Sequence, residues 1–239
     1  MHPRRPPSLA PLAQRDDGRS NARVTRIRHP RPIVRHEGLP TDNEAEQTMG
    51  MPIDHRQHWT VEEVWALPEM PGERYEVVDG VLLVSPAPSR VHQRAVRVLL
   101  ELLQRYVRET NVGEALPAPF DVVLADDTLV QPDVCVLPPL RDRALPDDPR
   151  TRPLPLLAVE VLSPSTARHD RIVKRPRYQR TGVEGWIVDI DSRLVERWTA
   201  DAVRPEICST SIEWHPINAS VPLIIDLVAV FREIVGDPA

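Results

Sequence analysis

Lysine is almost absent from this chain. Of its 30 basic side chains, 29 are arginine and one, Lys174, is lysine. Cysteine is nearly absent too. Cys135 and Cys208 stand far apart and form no paired metal-ligand spacing, which excludes a disulfide scaffold or a cysteine zinc site and points to a reducing compartment. Aromatic residues make up 4% of the chain against 41% hydrophobic residues overall, so the core must be built from Val, Leu, Ile and Ala. Glycine is scarce at 9 residues, whereas the 27 prolines gather in the N-terminal stretch and in one central loop. No apolar run reaches membrane-spanning length, and the first residues carry positive charge without an apolar signal core. The expectation is a cytoplasmic protein with no membrane partner. A net charge of −5 also excludes a strong overall field toward nucleic acid, although local basic patches remain compatible with it.

What is present divides at about residue 50. Residues 1–50 are rich in Pro, Arg and polar residues without apolar period, which predicts a disordered extension because too little surface can be buried to offset its ordering entropy. Met49 and Met51 immediately precede the first fold-like sequence, so the natural start is expected at one of them; the competing reading is a short basic arm, diluted by six acidic residues. Residues 51–239 read as one domain. "WTVEEVWALPE" carries a capping-box pattern, Thr60 with Glu63, ahead of a short helix. "RYEVVDGVLLVSP" predicts a hairpin turning at Asp79-Gly80. Apolar residues at 91, 95, 98, 99, 102, 103 and 106 predict a helix of about five turns. Strand-like runs follow in "PFDVVLA", "LVQPDVCVL" and "LLAVEVLS", with a polar, proline-rich loop before the last. "DRIVKRPRYQRTGV" reads as a helix with Asp170 as its cap, "GWIVDID" and "LVERWTA" as a second strand pair, and "DLVAVFREIVG" as a closing amphipathic helix. The order implies a mixed α/β domain with one central sheet flanked by helices.

Three acids lie inside apolar strand-like runs: Glu76, Asp133 and Glu160. A carboxylate between valines is costly unless it is paired, hydrogen-bonded or bound to a cation. Converging strand-borne carboxylates suit a hard divalent ion such as Mg²⁺, with Mn²⁺ as a substitute, because Mg²⁺ keeps several waters and takes only one or two protein carboxylates. Lys174 follows Glu160 by 14 residues, and a helix packed back on the sheet would return it to that cluster. A lysine can orient or deprotonate a water, or offset charge developing on a phosphate, whereas an arginine cannot deprotonate and needs a different space. A third acid would complete the shell or hold a second ion, and no organic cofactor is expected.

These stretches together resemble the Uma-two family of restriction endonucleases, which belongs to the PD-(D/E)XK nuclease superfamily. The resemblance rests on "RYEVVDGVLLVSPAPSRVHQ", "LVQPDVCVLP" and "AVEVLSPSTARHDRIVKRPRYQRTGVEGWIVD", and it covers roughly residues 55–235. It implies a restriction-endonuclease-like fold and Mg²⁺-dependent cleavage of DNA to 5′-phosphate and 3′-hydroxyl ends. It carries over Asp133 and Glu160 as metal ligands, Lys174 as the active-site lysine, Glu76 as an early acid and His92 as an early histidine, and in the mechanism it implies the carbonyl of Val161 joins Asp133 and Glu160 in holding Mg²⁺. The superfamily motif places its lysine two residues after the second acid, where this chain has Leu162; the resemblance implies that the lysine has moved to the next helix.

Plainer readings stand beside these. Asp133 after Pro132 is a strand-end acid, Glu76 a partner of Arg74, His92 a structural residue near a helix start, and Asp170 a cap rather than a ligand. Arg171, Arg175, Arg177 and Arg180 either track DNA phosphates or form a solvated face. Trp186 and Trp198 read as core. A catalytically silent nucleic-acid-binding or interaction module on the same fold, or a metal-dependent hydrolase acting on something other than DNA, remain alternatives to a nuclease. A homodimer is expected if both strands are cut.

Overall fold

The computed structural model describes residues 58–68, 71–140 and 144–237. The expectations for the N-terminal 50 residues, including the start at Met49 or Met51, lie outside the described residues.

The first element among the described residues is the short helix α1 (Val61–Trp65). Both arms of its capping box are formed: Thr60 Oγ1 accepts from Glu63 N–H, and the Glu63 carboxylate accepts from Thr60 N–H. The hairpin β1 (Glu73–Val78) and β2 (Val81–Pro86) turns where the sequence predicts it. Asp79 and Gly80 adopt φ of 50° and 75°, the left-handed pair that a two-residue hairpin turn requires. Helix α2 (Arg90–Thr110) is capped by Ser89 and stopped by Asn111 at a φ of 54°. Its first turn departs from the predicted apolar face. Val91 is exposed and His92 is buried instead, because at that end the helix meets a polar cluster rather than the core.

The single central sheet of the sequence reading resolves into separate sheets. The larger has six strands in the order β10-β9-β8-β7-β6-β3: β3 (Glu114–Pro117), β6 (Val134–Leu137), β7 (Leu157–Val161), β8 (Glu184–Asp189), β9 (Leu194–Trp198) and β10 (Glu206–Cys208). Only β7 and β8 run parallel; the other neighbours are antiparallel. The expected hairpin "GWIVDID"/"LVERWTA" is β8–β9. A second sheet, ordered β2-β1-β5-β4, joins the first hairpin to β4 (Val122–Ala125) and β5 (Thr128–Val130). The run "LVQPDVCVL" is therefore two strands, not one. Pro132 cannot donate to a ladder, and the chain leaves the small sheet after Val130 and enters the large one at Val134. A separate pair, β11 (Ser211–Trp214) and β12 (Leu223–Asp226), precedes α5 (Leu227–Val235), which Asp226 caps. The described part of the central proline-rich segment holds only one 3₁₀ turn, Pro149–Thr151.

Strand periodicity then sorts the side chains of β7. Leu157, Val159 and Val161 join the main core with α2, α5 and Trp186. Ala158 points the other way, into a second cluster with Tyr178, Val78, Leu83 and Val130. Glu160, two residues on from Ala158, shares that second face. Both faces of β7 are covered, so a Val-Glu-Val strand holds its acid away from bulk water.

One glycine matters to this arrangement. A Cβ on Gly113 would stand 2.0 Å from the Leu137 carbonyl oxygen, so only glycine lets the chain pass from α2 into β3 beside β6. Among the described residues no helix is long and apolar enough to cross a membrane.

Candidate active site

The crossover from β7 to β8 carries the site's helix. It runs without a break through α3 (Ala167–His169), a π turn (Asp170–Lys174) and α4 (Arg175–Arg180). Asp170 is not a cap, as the sequence reading had it. It has helical φ and ψ of −61° and −45°, is buried in the helix, and lies one turn before Lys174. Asp170, Lys174 and Tyr178 recur at four-residue spacing and form one stripe toward β7. A widened π turn at the two charged positions fits the frequent use of such turns at functional sites.

The structure brings Glu76, Asp133, Glu160, Asp170, Lys174 and His92 together, all buried. Lys174 Nζ lies 2.8 Å from Glu76 Oε2, 3.4 Å from Glu160 Oε1 and 3.3 Å from Asp170 Oδ1. Glu76 Oε1 accepts from Gln131 N–H at 2.7 Å. Asp133 accepts from Val161 N–H at 2.9 Å and from Arg74 at 3.2 Å, and His92 Nε2 lies 3.2 Å from its Oδ2. The Tyr178 hydroxyl donates to Glu160 Oε1 at 2.7 Å. The cluster is thus assembled from both sheets, the start of α2 and the crossover helix. It lines a cavity of about 820 Å³.

Electrostatics separate these groups. Burial works against the charge on Lys174, but Glu160, Glu76 and Asp170 outweigh it and raise its pKa well above the ordinary lysine value. Lys174 is therefore held as a cation, which disfavours the proton-abstracting role considered from sequence and leaves the electrostatic one. Burial raises the Glu160 carboxyl well above its usual range, against the pull of Lys174, and raises Asp170 as well. Asp133 goes the other way: His92, Arg74 and the Val161 N–H outweigh its burial and lower its pKa. Burial raises the Tyr178 hydroxyl well above its normal value, so it stays a donor.

Four carboxyl groups, Glu76, Asp133, Glu160 and Asp170, face two permanent cations, Arg74 and Lys174, so acids outnumber cations by two, and burial favours the neutral form of Glu160 and Asp170. A hard divalent cation fits that oxygen donor set and would take the place of those protons. Among the described residues no three His, Cys, Asp or Glu side chains are already gathered about one point, because Lys174 occupies their centre. A two-carboxylate site completed by water is what this arrangement suits. Glu160 Oε2 has no hydrogen-bond partner among the described residues, and Glu160 lines the cavity.

The predicted phosphate-tracking arginines lie outside the cluster and are engaged internally. Arg171 pairs with Asp189 at 3.0 Å and Glu196 at 2.7 Å. Arg175 lies over the Trp198 ring at 4.1 Å from its centroid and donates to Gln179. Arg177 and Arg180 both pair with Asp79 of the hairpin turn. Sequence reasoning missed two functional neighbours. Tyr178 sits one turn beyond Lys174, a spacing that would have marked it. Arg74 was read as the partner of Glu76, whose same strand face it shares, but its Nη1 instead bridges Gln131 O and Asp133 Oδ1.

The sequence profile of the Uma2 family, described as "Putative restriction endonuclease", matches residues 61–225. The chain belongs to the Uma2 family. That span holds every residue of the cluster. Four solved chains match this Uma2 protein, and no curated protein does. One of the solved chains is described as "a putative nuclease belonging to DUF820 from Anabaena variabilis ATCC 29413". It is 19% identical, with a TM-score of 0.60, and the match covers 74% of this chain and 99% of that one. At that identity the likeness speaks for the fold, a restriction-endonuclease-like mixed α/β domain, as the sequence resemblance implied.

Proposed function

We propose that this Uma2 protein is a metal-dependent endonuclease that hydrolyses DNA phosphodiester bonds. The observation that carries the reading is the convergence of Glu76, Asp133 and Glu160 from two sheets on the chain's one lysine, in a cavity.

Asp133 and Glu160 are the residues that would hold Mg²⁺ or Mn²⁺, with the Val161 carbonyl as a further donor. When bound, the ion supplies a polarised phosphoryl oxygen and an acidified water. The rest falls to the chain's own side chains. Lys174, kept cationic by its three carboxylates, offsets the charge that develops on the phosphate. Glu76 fixes the Lys174 ammonium from the small sheet, and Asp170 fixes it from the helix. Tyr178 holds one oxygen of Glu160, which leaves the other for the cavity. His92 and Arg74 keep Asp133 ionised and oriented. Arg171, Arg175 and Arg177 reach a DNA backbone only by giving up internal partners. Cutting both strands in a single encounter calls for a second copy of the site, whereas a single copy nicks before it linearises.

The test is plasmid nicking by the full chain with Mg²⁺ or Mn²⁺, against Asp133→Asn, Glu160→Gln and Lys174→Ala variants shown to be folded. Metal-dependent nicking lost in all three supports the reading. Equal trace activity in wild type and variants overturns it.

A further inference from the structure

We infer that Arg74 is a substrate contact, its free guanidinium edge binding a phosphate of the polynucleotide where the strand passes from the carboxylate cavity into a neighbouring groove. This inference rests on the nuclease reading and extends it to the path of the substrate.

Three cations line the main cavity: Arg74, Arg171 and Lys174. An anionic strand entering a cluster of four acids needs one of them to meet it. Lys174 is 3% exposed and has three carboxylates around its ammonium. Arg171 spends Nε on Glu196 and Nη2 on Asp189. Arg74 differs from both. A single nitrogen, Nη1, anchors it to Gln131 O at 3.0 Å and Asp133 Oδ1 at 3.2 Å. Its Nε and Nη2 have no partner among the described residues, and its side chain is 23% exposed. Nε and Nη2 form the edge of the guanidinium that meets two phosphate oxygens in parallel.

A second cavity of about 720 Å³ lies next to the first. Both are lined by Arg74, Pro86, Ala87 and Pro88, so Arg74 stands at the seam between them. The second is walled by Trp65, Tyr75 and several prolines. Trp65 is 36% exposed, its indole N–H is satisfied by Asp121 at 2.8 Å, and Arg150 lies over its ring at 5.9 Å from the centroid, so a base would meet the exposed part of a ring that already has one cation beside it. A positive group at the seam followed by aromatic walls is the arrangement that binds a single strand, with phosphate on the cation and bases stacked on rings. Among the described residues the groove's lining has no cation besides Arg74 and includes Glu73 and Asp121, so one phosphate is held at the seam and the base beside it enters the groove.

The competing role for Arg74 is that of a mere counter-ion to Asp133. A lysine would supply that as a point charge but could not reproduce the fork. The test therefore compares wild type, Arg74→Lys and Trp65→Ala, each as the full chain. Anisotropy of a fluorescein-labelled single-stranded oligonucleotide in Ca²⁺ reads strand binding, and calorimetry with Mn²⁺ reads the metal site. The expected result is a loss of strand affinity of about tenfold in each variant, with Mn²⁺ affinity unchanged within about twofold in Trp65→Ala and lowered less than strand affinity in Arg74→Lys, where the retained charge still faces Asp133. Wild-type strand affinity in Arg74→Lys, a parallel loss of Mn²⁺ affinity, or failure of Arg74→Lys to fold would each mark a counter-ion and overturn the inference. Unchanged strand affinity in Trp65→Ala overturns the path through the groove. Absence of strand binding by the wild type itself, with Mn²⁺ still bound, overturns the nuclease reading on which the inference stands.

Discussion

Lys174 Nζ and Glu76 Oε2 are 2.8 Å apart, and they come from different layers of the molecule: one from the crossover helix of the large sheet, the other from a strand of the small one. The pair ties the two sheets together at the point where Asp133 and Glu160 meet. The ion pair is buried, so removing the ammonium leaves three carboxylates without their shared partner. Lys174→Ala is expected to destabilise the fold by roughly 3–5 kcal/mol and to abolish cleavage. Lys174→Arg should restore neither in full, because the larger planar group does not fit a site built around one nitrogen. Urea unfolding together with single-turnover nicking checks both, and full activity in Lys174→Arg would show that a bare positive charge suffices.

Tyr178 positions Glu160 rather than touching substrate. Its hydroxyl donates at 2.7 Å to the oxygen that Lys174 also approaches, in a region closed to water. Tyr178→Phe should cost about 1–3 kcal/mol through the unsatisfied carboxylate oxygen. It should also weaken Mn²⁺ binding by calorimetry, because Glu160 can then turn. A stability loss with unchanged metal affinity would reduce Tyr178 to a core residue.

Much of this site was legible because a buried acid in an apolar strand is a local anomaly. Glu160 between valines and Lys174 among arginines stand out without any fold. Asp79-Gly80 and the Thr60 capping box are equally local, and both formed as read. The illegible parts depend on long-range contacts. Arg74 reaches Asp133 across 59 residues, and only the crossing of the chain from one sheet to the other at Gln131–Asp133 makes the pairing available. Strands β3, β10, β11 and β12 have three or four residues each, too short to show a period against their neighbours. Asp170 looked like a cap because Asp favours helix starts, but the helix began earlier, at Ala167, and burial beside Lys174 overrode that local preference.

Gly113 offers a control remote from the chemistry. An alanine there would drive its Cβ against the Leu137 carbonyl, a backbone atom that cannot swing aside. Gly113→Ala should therefore destabilise the β3–β6 pairing, at a cost of about 1–3 kcal/mol. Below its lowered melting temperature it should keep wild-type metal affinity. Lost metal affinity in the folded variant would mean that β3 steers Asp133 through β6.

The metal-free cluster should also make the fold sensitive to pH in a defined direction. The Glu160 carboxyl is raised well above its ordinary value of 4.5, so the folded protein keeps a proton there that the unfolded chain has released. Stability from this group is fully present below 4.5 and declines as pH rises toward the raised folded value. Asp170, raised from 3.8, adds in the same sense. Asp133 is depressed from 3.8, so its contribution is present above that value and is lost as pH falls through the lower folded value. In EDTA the melting temperature should accordingly fall as pH rises above 4.5, read at one pH just above that value and one well above it, and Glu160→Gln should flatten that slope. A divalent ion replaces the proton. At roughly 100 times its Kd, Mg²⁺ should return about 2.7 kcal/mol at the alkaline end, with less at the acidic end where protons compete for the same oxygens. Calorimetric melting with and without Mg²⁺ at the two pH values tests the linkage. A metal effect that is equal at both, or that survives in Glu160→Gln, would place the ion away from Glu160.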